Sequence, residues 1–149
     1  MALGDVTQIV PGSLYKVELL ASATATNSAP SGGSAGIECN LLNGFGRIPS
    51  TIGVEIVSTA GSGTMTVTAR LWGYSGNNWF PLGNSSDGTT KGVLNGGNAI
   101  TECAADILRH MEPVNYPAFL TRLYLEITAI GGTSTAVTGF VRVARDAQG

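Results

Sequence analysis

The stretch that most constrains this chain is residues 64–82, TMTVTARLWGYSGNNWFPL. Met65, Val67, Ala69, Leu71 and Gly73 point one way. Thr64, Thr66, Thr68, Arg70, Trp72 and Tyr74 point the other, which is the period of two of a half-buried strand. Ser75, Gly76, Asn77 and Asn78 are turn chemistry, so residues 79–82 should fold back as a partner strand. With those four residues as the loop, Tyr74 faces Trp79, Gly73 faces Phe80, Trp72 faces Pro81 and Leu71 faces Leu82. One face of this hairpin is aliphatic plus Phe80 and feeds a core. The other gathers Trp72, Tyr74, Trp79 and Pro81.

Other segments obey the same period. Residues 14–21, LYKVELLA, read as a first strand, and residues 52–57 as another with Val54 and Ile56 inward. Residues 37–42 read as a short strand before a turn at Asn43, Gly44, Phe45 and Gly46, and residues 59–63 as a connector. In residues 120–130, Leu123, Leu125, Ile127 and Ala129 point inward. Residues 131–134 turn the chain. Residues 135–144 return with Val137, Gly139, Val141 and Val143 inward and Arg142 outward. Residues 98–114 have two readings. Ile100, Cys103, Ile107 and Met111 have helical spacing with Asn98 as a cap, but residues 107–114 also read as an edge strand stopped by Pro113. The extended reading is preferred.

Three segments lack a strand signal. Residues 1–13 end in Pro11 and Gly12 and read as an N-terminal arm, either frayed or reaching a neighbouring subunit. Residues 22–36 are Ala, Ser, Thr and Gly with one Pro. They bury too little apolar area to offset their ordering entropy, so a long flexible loop is expected. Residues 83–97 are turn-rich, with Val93 and Leu94 as their apolar anchor. Val54, Glu55 and Ile56, a Gly-rich turn and Thr66, Val67 and Thr68 are echoed by Leu125, Glu126 and Ile127, a Gly-rich turn and Ala136, Val137 and Thr138. The echo reads as an old duplication or as two hairpins under the same rules. Seven or eight short strands predict an all-β, single-domain β-sandwich, jelly-roll-like, over residues 14–149, preceded by the arm.

Composition narrows the function. The chain has 149 residues, enough for one domain that buries roughly 70% of its unfolded surface. Charged residues are 12%, against about 25% in ordinary globular proteins. Such a surface loses little on being covered, because few ions must be desolvated. Net charge is −2 and the eight Lys and Arg residues are scattered, which argues against a nucleic-acid groove. The start, MALGDV, lacks the basic and apolar regions of a signal peptide. No apolar run approaches the ~20 residues that span a bilayer. A soluble protein made in a cytosol, without nucleic-acid or membrane partners, is expected. In that compartment Cys39 and Cys103 read as two buried thiols; a disulfide between them would stabilise by ~4 kcal/mol.

Catalytic chemistry finds little footing. His110, the one histidine, reads as a structural or surface residue. Gly32-Gly33-Ser34-Ala35-Gly36 matches G-x-S-x-G in letters, but a nucleophile elbow needs a buried strand before it and a helix after it. Cys39, Cys103 and His110 lack metal-ligand spacing. Asp87-Gly88 lacks the carboxylate series of a calcium loop. Glu102 and Asp106 read as solvated carboxylates, Asn84-Ser85-Ser86 as a sequon without a secretory context, and neither Gly61-Ser62-Gly63 nor Gly131-Gly132 as a phosphate loop. No enzyme, cofactor or metal is expected.

Trp72, Tyr74 and Trp79 carry the functional expectation. They pack beneath a loop or arm of the same subunit, or they form an exposed patch for a subunit interface or for stacking sugar rings. The runs LWGYSGNNWFPLG, GVLNGGNAITE and RLYLEITAIGGTSTAV resemble small structural proteins of tailed-bacteriophage virions, closest to jelly-roll capsid decoration or cement proteins. The resemblance covers roughly residues 53–143 and rests on hairpin patterns. It implies a structural protein on the outside of a phage capsid, made in the host cytoplasm, commonly trimeric and clamping copies of the major capsid protein. On that reading Trp72, Tyr74 and Trp79 form one interface patch and Val6, Ile9, Val10 and Tyr15 belong to a gripping arm. The alternative is a tail-associated or surface carbohydrate-binding β-sandwich with the three rings as its platform.

Overall fold

The computed structural model describes residues 2–10, 14–42, 49–59, 61–82, 91–117, 119–134 and 136–144. The expected turns at Pro11-Gly12 and at residues 43–46, the sequon and Asp87 lie outside them. The strands are β1 (Val6–Val10), β2 (Leu14–Ala23), β3 (Ile37–Glu38), β4 (Thr51–Thr59), β5 (Gly61–Tyr74), β6 (Trp79–Leu82), β7 (Ile100–Thr101), β8 (Ile107–Asn115), β9 (Arg122–Ser134) and β10 (Val137–Ala144). They form two antiparallel sheets. The first runs β1-β2-β10-β4-β8. The second runs β3-β9-β5-β6, with β7 also on β5. This is a β-sandwich.

The alternation predicts the core. Met65, Val67, Ala69 and Leu71 of β5 meet Leu123, Leu125 and Ile127 of β9 within one sheet. Val54 and Ile56 of β4, Val17 and Leu19 of β2, and Val137, Val141 and Val143 of β10 face them from the other. Each such Leu, Ile or Val side chain stabilises by about 1.5–3 kcal/mol on leaving water. The β5–β6 register is the one the turn dictates: Leu71 opposite Leu82, Trp72 opposite Pro81, Gly73 opposite Phe80 and Tyr74 opposite Trp79.

Where two sheets are joined, the local reading changes. β4 and β5 follow one another in sequence but lie in different sheets, and so do β9 and β10. β4 pairs with β10, and β5 with β9. The two halves of the echo are therefore corners between sheets, not hairpins. Of the expected connectors, Thr59 belongs to β4, residues 61–63 to β5 and residues 131–134 to β9, with Gly61 opposite Ser134. Within β9, Thr68 stands opposite Ala129 but Ala69 opposite Ile127. This one-residue bulge reverses the alternation. Ala129, expected inward, is exposed, and Ile130 packs on the core instead.

Other departures have local causes. β3 stops at Glu38, and Cys39–Leu42 is a 3-10 turn that buries Cys39 and Leu42. Phe80 remains half exposed although it faces Gly73. The space above Gly73 is already filled, since a Cβ there would lie 2.8 Å from Leu120 Cδ1 and 2.9 Å from Leu82 Cδ1. Residues 107–114 are extended, as preferred, and β8 runs through Pro113 to Asn115. An edge strand tolerates proline because the outer side of its backbone needs no ladder partner.

The first 13 residues are not wholly a free arm. β1 pairs antiparallel with β2 of the same chain, with Val6 opposite Val17 and Thr7 opposite Lys16. All five of its residues are exposed. Tyr15, expected in the gripping arm, is instead a core residue at 4% exposure. Its hydroxyl donates to the Leu42 carbonyl oxygen at 2.6 Å. It sits on the inward face of β2, where a phenol is accepted only with a hydrogen-bond partner.

Candidate functional site

The outer face of the second sheet brings the aromatic side chains together. β5 carries Trp72 and Tyr74, β6 carries Trp79, and β9 adds Tyr124 directly across from Trp72. The Tyr74 and Trp79 rings lie 4.8 Å apart between centroids, tilted by 37°. Trp79 meets Tyr124 edge-on at 6.2 Å. Trp72 Nε1 donates to Glu126 Oε1 at 2.9 Å, and the Arg70 guanidinium lies 5.8 Å from its ring. Each of these rings is half-buried.

Three of them, Tyr74, Trp79 and Tyr124, lie against the low-complexity segment between β2 and β3. Trp79 Nε1 donates to the Gly32 carbonyl oxygen at 2.8 Å, and the Tyr124 hydroxyl to that of Ser28 at 2.8 Å. Arg122 spans three successive carbonyls. Its Nε donates to Ala35 at 2.7 Å, and its Nη2 to Ser34 and to Gly36 at 3.1 Å each. Gly33 sits on Tyr74, since a Cβ there would lie 3.4 Å from the phenol oxygen. At the other end, Asn27 behaves as a one-residue strand on β9. The Ile127 N–H donates to its Oδ1 at 2.6 Å, and its Nδ2 donates to the Leu125 carbonyl at 3.2 Å.

Residues 24–36 form the expected loop, with Ser22 and Ala23 taken into β2, and these hydrogen bonds tie it to the sheet. The segment has almost no apolar side chains with which to hold on, so its backbone carbonyls and the Asn27 amide serve instead. Asn27, Arg122 and Tyr124 were missed from the sequence. Tyr124 was legible as an outward residue of its strand. That it would share a face with Trp79 depends on strand order, and no local signal carries that.

Beside the clasp, Gly33, Glu38, Cys39, Tyr74, Thr121 and Arg122 line a cleft of about 450 Å³. Arg122 Nη1 lies 3.6 Å from Glu38 Oε1 there. Burial pushes the Cys39 thiol pKa up, opposed by its hydrogen bond with Tyr116 and by the Arg122 charge. Burial likewise raises Tyr124, helped by the neighbouring Glu126 charge. A thiol held protonated in this way is a poor nucleophile. Both cysteines are free. Cys103, expected to be buried, is exposed because it lies in the turn before β8, where its Sγ donates to the Ile107 carbonyl at 3.5 Å.

The remaining polar residues hold the fold. His110 Nε2 lies 2.6 Å from Glu112 Oε1, which also accepts the Asn95 N–H at 2.6 Å and ties the turn Asn95–Gly97 to β8. Ser34 of the G-x-S-x-G match lies in the clasped segment, away from any strand-to-helix turn. Glu102 Oε2 accepts the Met65 N–H at 3.2 Å. Among the described residues no group of three metal-ligating side chains converges, and no helix is long and apolar enough to cross a membrane.

The N-terminal edge of the first sheet is the contrasting surface. Leu3, Val6, Ile9 and Val10 are between 38% and 50% exposed. They are the exposed aliphatic side chains of one short stretch, and β1 is the outermost strand of its sheet. Comparison of the chain with protein-family models, with curated proteins and with solved structures finds no match.

Proposed function

We propose that this chain is a structural virion protein that binds the outside of a tailed-phage capsid and stabilises contacts between capsid subunits. The observation that carries this reading is the exposed β1 edge. An edge strand with Val6, Ile9 and Val10 open to solvent is a liability that soluble proteins usually blunt with charge or cover. A partner that covers it removes the liability and gains the burial. The low content of charged residues agrees, as does the resemblance of residues 53–143 to jelly-roll decoration proteins. A symmetric array of copies, trimers among them, makes such modest contacts multivalent.

The role expected of Trp72, Tyr74 and Trp79 moves with the clasp. Both indole N–H groups are engaged within the chain and the Tyr74 and Trp79 rings meet each other, so the grip is assigned to β1 rather than to them. The same engagement makes the carbohydrate-platform reading the second choice.

The test is deletion of residues 1–13. The truncated chain keeps its β spectrum, because β1 contributes no buried side chain. It should be washed from purified empty phage shells by salt that leaves the full chain bound. Equal retention of both forms overturns the assignment of β1. Failure of the full chain to bind any such shell overturns the capsid reading.

A further inference from the structure

The outer face of the first sheet is a second surface, distinct from β1 in chemistry. The register places Lys16, Arg142, Gly53 and Pro113 in one row across β2, β10, β4 and β8, with Phe140, Glu55 and Met111 in the next and Val57 beside Arg109 in a third. Glu55, Val57, Arg109, Met111 and Arg142 line a cleft of about 420 Å³.

Charge on this face runs against the chain as a whole. The protein carries −2, yet Lys16, Arg109 and Arg142 all point outward here. The two carboxylates of the face among the described residues are withdrawn. Glu18, opposite Phe140, is 3% exposed, and the Glu55 side chain is 13% exposed and takes Arg142 Nε at 2.6 Å. Lys16 Nζ lies 4.2 Å above the Phe140 ring. Arg109 is exposed, with no ion pair or side-chain hydrogen bond among the described residues. What a partner meets is cation tips around an apolar floor.

That floor has a vacant spot. Gly53 has no Cβ, and the point where one would stand is 3.6 Å from Arg142 Cβ and 3.8 Å from Met111 Sδ. Met111 itself is 53% exposed. A thioether beside a dimple accommodates apolar side chains of varied shape.

We infer that this face docks an acidic, extended protein segment, with one apolar side chain of the segment seated over Gly53 against Met111 and its carboxylates on Arg109 and Lys16. Opposite charge steers the encounter and fixes orientation, while the apolar contact supplies the burial. Nucleic acid fits less well. It calls for a longer cationic track and open stacking rings, and Phe140 is buried beneath Lys16. The surface is independent of attachment through β1, so one can fail while the other holds.

The test uses the full chain, isotope-labelled, titrated with a capped octapeptide of Asp and Glu around a central Leu. Saturable NMR shifts should be confined to Lys16, Gly53, Val57, Arg109 and Met111. Arg109→Glu should weaken binding about tenfold or more, and so should molar salt. Met111→Ser should weaken it without altering the salt dependence. Both sites are exposed, so both variants keep the fold, and an unchanged spectrum elsewhere verifies this. The inference is overturned by absence of saturable shifts, by equal binding of a Lys-for-acid peptide, by an unaffected Arg109→Glu variant, or by tighter binding of a single-stranded oligonucleotide or of phosphatidylglycerol vesicles at the same residues.

Discussion

The indole N–H of Trp79 donates to the carbonyl oxygen of Gly32 at 2.8 Å and so joins the tip of the β5–β6 hairpin to a segment 47 residues earlier. That bond reads no side chain of the segment. The same holds for the contacts from Tyr124 and Arg122, whose acceptors are all main-chain oxygens. A stretch of Ser, Ala and Gly can therefore be held firmly without an apolar anchor. The aromatic cluster, which on sequence grounds suits either an outward grip or a place beneath a loop of the same subunit, has Tyr74, Trp79 and Tyr124 against that loop.

Removal of the clasp should release the segment and spare the sandwich. Arg122→Ala loses three hydrogen bonds from a guanidinium, a cost of about 2–4 kcal/mol. Arg122→Lys recovers little, because an ammonium cannot fork across successive carbonyls. Urea unfolding measures the loss, and limited proteolysis locates it. Cleavage within residues 24–36 should appear well before the strands are attacked. An unchanged cleavage pattern would refute the clasp.

Two glycines of the same segment should differ sharply. Gly36 has φ +71°, and an added Cβ would fall 1.9 Å from the Leu123 carbonyl oxygen. Gly36→Ala must therefore push β3 off β9, at roughly 3 kcal/mol or more. Gly32 has a similar φ of +70° but nothing within 4 Å. Gly32→Ala meets only the backbone penalty, about 1–2 kcal/mol. Equal losses in thermal unfolding would contradict the packing.

Stability should fall at alkaline pH. Burial raises Tyr116, Cys39 and Tyr124 above their ordinary values, with the Cys39 hydrogen bond adding to Tyr116. The folded state then holds protons that the unfolded chain releases near 9.0 for the thiol and 10.0 for the phenols. Stability from these groups is complete below that range and is lost as pH rises through it. The urea midpoint should be level through neutral pH and decline above about pH 9. Tyr116→Phe should flatten the decline. A steep fall that survives this change assigns it to other groups.

The two thiols should be kinetically distinct. Cys103 is exposed, whereas Cys39 is 2% exposed and held protonated. A thiol reagent at pH 8 should modify one thiol in minutes and the second only with unfolding. Two fast thiols would place Cys39 outside the core.

Much of the fold is visible from alternation alone. In β5 every inward residue expected from Met65 to Gly73 is buried, because a strand with one dry face must repeat every two residues. The turn at Ser75–Asn78 sets the register of its hairpin, since four residues leave one way to close it. Local pattern is less informative at Ala129. The bulge is a mismatch between β9 and β5, where Thr68 stands opposite Ala129 and Ala69 opposite Ile127, and no pattern within β9 announces it. Tyr15 is similar: its amphipathic side chain suits a surface or a core, and only the carbonyl of Leu42, supplied by a turn distant in sequence, decides for the core.

The sequence by itself therefore determined the long alternating strands, the faces they bury up to the bulge in β9, and the tight turn between Tyr74 and Trp79, since each depends on residues within reach of their near neighbours. Tertiary structure alone decided which strands lie side by side. It set β9 against β5, brought Arg122 and Tyr124 beside Trp79, and left β1 bare at the rim. Those choices balance pairings across many tens of residues, and the energy that selects among them resides in how the two sheets fill the space between them.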